Sequence, residues 1–148
     1  MVRSDGSRAE TVFPKKGPFP HDAVHYAVER HLGMRRGFWG LVAEGIHPED
    51  IVEMAKAAGH ASASRAQTPE SSIVELLQAE RIVECFEADL WGGAAEMETL
   101  LETISVACTF SHVPIPLIQA AEVEAIRGEL AKLTAQWAAG RIDFYWAD

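Results

Sequence analysis

Residues 68–93 read TPESSIVELLQAERIVECFEADLWGG, and the fold turns on this stretch. Thr68 offers an N-cap, Pro69 a first-turn proline and Glu70 an acid at the positive end of a helix dipole, while Gly92-Gly93 break the chain after Trp91. The spacing predicts one long helix from about 69 to 91. Its apolar residues Ile73, Val74, Leu76, Leu77, Ile82, Val83, Cys85, Phe86 and Leu90 cover more than one stripe, which predicts a central helix with neighbours on two sides.

Downstream, Met97, Leu100, Leu101, Ile104, Ala107 and Cys108 keep helical spacing until Pro114 and Pro116. Val123, Ile126, Leu130, Leu133 and Trp137 then form a short heptad seam suited to antiparallel packing. Upstream, Pro48, Glu49 and Asp50 open a helix expected to stop near Gly59, and the Ala, Ser and Arg alternation from 60 to 67 reads as a mobile surface loop. Gly37 to Ala43 is too apolar for an exposed loop and predicts one or two buried turns. His21 to Leu32 is a helix that begins only after Pro14, Pro18 and Pro20 and ends at Gly33. At the chain ends, Asp5-Gly6 suggests a hairpin finishing in Thr11-Val12-Phe13, and Ile142, Phe144 and Trp146 alternate as in a strand. The expected fold is therefore α+β and predominantly helical, a single domain over 1–148: a helix bundle with a small antiparallel sheet made by the N- and C-terminal segments.

Composition narrows the function. Among 148 residues, 13 Lys and Arg against 22 Asp and Glu give a net charge of −9. Seven of those bases and four of those acids lie in the first 40 residues, which leaves the body at −12. Such a body repels a phosphate backbone, so no nucleic-acid partner is expected. No stretch approaches the roughly 20 apolar residues of a membrane span, and the N-terminus lacks a signal-peptide core, so the reading is no membrane and a cytoplasmic location. Cys85 and Cys108 sit in apolar helical runs as free thiols.

The chemistry-bearing cluster is His21-Asp22-x-x-His25. Two histidines four apart on one helix can chelate a single Zn²⁺, and the motif differs from the zincin His-Glu-x-x-His by one methylene. His21 and His25 are the candidate metal ligands and Asp22 the candidate catalytic base, displaced by its shorter side chain. Glu29 lies on the same side, about 12 Å along the axis from His21 and out of reach of a shared ion. His112 and Glu84 are the candidates for a third ligand. The favoured reading of the cluster is a helix start with structural histidines. Glu80, Glu84 and Glu87 read as a solvated acidic face beside Arg81. Neither a nucleophile elbow nor a phosphate loop is present.

Pro20-His21-Asp22-x-x-His25-Tyr26-x-Val28-Glu29, followed by Gly37-Phe38-Trp39-Gly40-Leu41-Val42-Ala43-x-Gly45, resembles the signature of a family of small bacterial proteins of uncharacterised activity, over about residues 18 to 45. The resemblance implies a bacterial cytoplasmic protein and no mechanism. Two functional expectations follow from the residues. The first, which is preferred, is a non-catalytic interaction or regulatory protein, a homo-oligomer by its aromatic content. The second is a metal-dependent enzyme, hydrolase-like, with Zn as the candidate cofactor.

Overall fold

The computed structural model describes residues 1–10, 18–65 and 69–146, and the side chains of all of these except 58–65. Among the described residues six helices follow in order: α1 His21–Leu32, α2 Phe38–Ala43, α3 Pro48–Arg65, α4 Val74–Gly92, α5 Met97–Phe110 and α6 Ala120–Ala138. α1 packs on α4 and α6, α4 carries α5 on its other side, and the short α2 bridges α1 to α3.

The expectation of a central α4 is met, and α1 shares that position. Ala23 to Glu29 are all buried, because α1 is covered by α2, α4 and α6 together. Its apolar residues Val24, Tyr26, Ala27 and Val28 join Leu76, Ile82, Val83 and Phe86 of α4 and Val123, Ile126, Leu130 and Leu133 of α6 in one core. Gly33 ends α1 in the left-handed region at φ 64°, where its N–H bonds to the Glu29 carbonyl; this is a conformation that costs glycine little and other residues more. α6 starts with a capping box between Gln119 and Glu122, placed just beyond the prolines that end the preceding segment.

Three expectations need correction. α4 begins at Val74, after turns over residues 71–73, so Pro69 and Glu70 precede the helix. α3 continues to Arg65 because Gly59 and the following Ala and Ser residues tolerate helix once Pro48–Ile51 have nucleated it. Residues 60–65 of the expected loop are therefore helical, and 66–67 lie outside the described residues.

The third correction concerns the sheet: among the described residues there is no strand and no sheet. The N-terminal segment folds on itself through the single antiparallel bridge Val2–Arg8 around Asp5-Gly6, and Thr11-Val12-Phe13 lies outside the described residues. Arg3 fastens this turn to the end of α2, donating to the carbonyls of Val42 at 2.7 Å and Ile46 at 3.3 Å. The C-terminal segment binds elsewhere. Ile142, Phe144 and Trp146 alternate inward as the sequence predicts, but their partner is an aromatic surface rather than a strand. Phe144 stacks on Tyr26 with centroids 4.1 Å apart and meets Trp39 edge-on at 4.9 Å, and the Tyr26 hydroxyl donates to the Tyr145 carbonyl. Ring packing has replaced the ladder.

Candidate metal centre

α1 begins at His21, directly after the extended N-cap Pro20, which puts His21 and His25 one turn apart on the same face of α1. Their rings meet edge-on, with centroids 4.8 Å apart. α4 runs against that face. It presents Glu80 and Glu87, seven residues and two turns apart, to the two imidazoles.

The polar atoms converge. His21 Nε2 and His25 Nε2 stand 3.2 Å apart, Glu80 Oε2 is 3.6 Å from the first and Glu80 Oε1 3.6 Å from the second. Each ring is held from behind by its own carboxylate: His25 Nδ1 lies 2.8 Å from Glu29 Oε1, and His21 Nδ1 lies 2.9 Å from Glu87 Oε1. A carboxylate only accepts, so both Nδ1 atoms are the donors. Both Nε2 atoms of the neutral rings are then lone pairs, aimed at each other and at a third acceptor. The separation of 3.6 Å is too long for a hydrogen bond, and facing lone pairs repel. A metal ion, or protons on the rings, would relieve that repulsion. Two ligand atoms on one tetrahedral Zn²⁺ lie about 3.3 Å apart when each bond is about 2.05 Å; the two Nε2 atoms match that at 3.2 Å, and with one atom from each residue the three ligand atoms lie within 4.8 Å of one another. His21, His25 and Glu80 together could hold a metal ion.

In the absence of an ion, protons fill the same role. Burial alone would lower both imidazoles, but carboxylates outweigh it: Glu80 and Glu87 hold His21 at about 9, and Glu29 and Glu80 hold His25 at about 10. Burial would likewise raise Glu80, yet the two histidines keep it well below the usual carboxylate range. The rings share a 3.2 Å gap, so they take up their protons in coupled steps. One side of the cluster is dry and the other is open. His25 and Glu29 are buried, whereas the side chains of His21, Glu80 and Glu87 keep 25%, 23% and 15% of their exposure, leaving one face to solvent.

The two histidines of the sequence reading thus meet. Asp22 stays in the first turn of α1, where its carbonyl accepts the Trp39 indole N–H at 2.8 Å, and its carboxylate is not one of the converging acceptors. The third position belongs to Glu80. Glu84 pairs with Arg81 at 2.9 Å, and His112 sits in the turn after α5 with φ 55°. The reading of Glu80, Glu84 and Glu87 as one solvated face is corrected for Glu80 and Glu87. Their two-turn spacing was the available signal, and only the packing of α4 on α1 turns it into a site. Glu29 is not among the converging acceptors; one turn from His25, it supports that ring instead. A scan against family models and searches of curated proteins and of solved structures gave no match.

Proposed function

We propose that the protein binds one divalent transition-metal ion, with zinc as the candidate, through His21, His25 and Glu80. One observation carries the reading: three acceptors converge within one ion's reach while a separate carboxylate orients each imidazole. Carboxylate–histidine pairs of this kind are the usual support of a metal-ligating ring. An ion held by these three ligands with an open face would supply a Lewis acid able to activate water, so the use that fits best is metal-dependent hydrolysis. In that use Asp22, one residue from His21, is the candidate base. The two buried cysteine thiols fit a reducing, cytoplasmic setting. The test is a zinc titration of tag-free protein. A single site lost in both His21→Ala and Glu80→Ala is expected; absence of binding in the wild type overturns the proposal.

A second reading, an interaction protein that self-associates, is supported by apolar side chains left in water. Phe110 is 82% and Leu117 87% exposed, with Val106 and Ile115 also on the surface. Two of these, Val106 and Phe110, lie one turn apart on α5.

A further inference from the structure

Behind His25, Glu29 is completely buried, and three hydrogen bonds hold its carboxylate. Oε1 accepts the Phe38 N–H at 2.8 Å as well as the His25 Nδ1–H, and Oε2 accepts the Trp39 N–H at 2.9 Å. The carboxylate therefore sits across the first amides of α2. It can do so only because residue 37 is glycine: a Cβ there would lie 2.4 Å from the Glu29 carboxyl carbon and 2.6 and 2.7 Å from its oxygens. The capping of α2 is thus supplied from α1, and by the same group that holds a metal-site imidazole.

We infer that Glu29 is the positioning residue of the centre, fixing the Nδ1–H tautomer of His25 and the direction of its Nε2 lone pair, and that Gly37 is there to admit its carboxylate. The inference rests on the metal-binding reading and adds a connection to it. Bound at Nε2, a cation polarises the ring and strengthens the Nδ1–H bond to Glu29, so charge at the site is felt at the amides of Phe38 and Trp39. Glu29 touches no ion. It acts through His25, while Glu87, on the exposed side, supports His21.

The test uses the full chain and zinc. Wild-type protein, on zinc loading, is expected to keep a hydrogen-bonded His25 Nδ1–H in its nuclear magnetic resonance spectrum and to shift the Phe38 and Trp39 amide signals. Glu29→Gln should weaken zinc binding ten- to a hundredfold and alter the visible bands of the cobalt-substituted protein, which a purely structural role would leave in place. Gly37→Ala should weaken zinc binding in the same direction, and Glu53→Gln, on an exposed face of α3, should not. If the wild type binds zinc but Glu29→Gln binds equally well, or the two amides stay still, the inference fails and the metal site stands. If the wild type binds no zinc, the site itself fails. Should Glu29→Gln not fold, the wild-type amide shifts decide alone.

Discussion

His25 is the residue on which the most depends. Its ring packs 5.7 Å from that of Phe38, its Nδ1 partners a buried carboxylate, and its Nε2 faces His21 and Glu80. Removing it withdraws a ligand and strips Glu29 of one partner inside the core. His25→Ala is therefore expected to abolish zinc binding and to destabilise even the metal-free protein by about 2–4 kcal/mol, read by denaturant unfolding. A variant with unchanged midpoint would show that the buried pair contributes nothing net. The sequence made His21 and His25 legible because a one-turn spacing survives any packing. Glu80 was not legible, since a carboxylate on another helix declares its direction only when the helices dock, and an acidic stripe beside Arg81 looks the same whether it faces water or an imidazole.

Among the elements, the helices were the readable part. Proline, glycine and apolar spacing mark both ends of α1 and the seams of α5 and α6, and the buried residues follow those seams. The terminal sheet was the misreading. Alternation in Ile142, Phe144 and Trp146 reports that one face is covered, not what covers it, and here Tyr26 and Trp39 replace a neighbouring strand. The dependence on this segment remains. Ending the chain after Gly140 uncovers the Tyr26 and Trp39 rings and removes three half-buried apolar side chains. The expected loss is about 2–4 kcal/mol, or on the order of 10 °C in Tm by calorimetry. An unchanged Tm would mean that the aromatic contacts do not hold the segment. On α5, Val106 and Phe110 give the second element-scale prediction: sedimentation at micromolar concentration should show a dimer that Phe110→Ser dissociates, and a wild-type species of 16.2 kDa alone would contradict self-association.

At the scale of the whole molecule, the site ties stability to pH in opposite senses with and without metal. Folded His21 and His25 titrate at about 9 and 10 against an ordinary 6.5, so without metal their contribution is complete below 6.5 and is lost as pH rises through 9 to 10. Glu80 is lowered, so its contribution is present above its ordinary 4.5 and is lost as pH falls below it. Chelator-treated protein should accordingly melt highest between about pH 4.5 and 6.5 and progressively lower toward pH 10. Zinc must displace the imidazole protons, so the Tm gain on adding zinc should grow over the same rise in pH. No helix among the described residues is long and apolar enough to cross a membrane. The most direct measurement is calorimetric zinc titration at pH 7 in two buffers of different ionisation enthalpy. The structure predicts one zinc per chain with release of at least one proton and up to two, from histidines that are protonated until the ion arrives. Absence of binding, or binding that releases no proton, would contradict a metal centre at His21, His25 and Glu80.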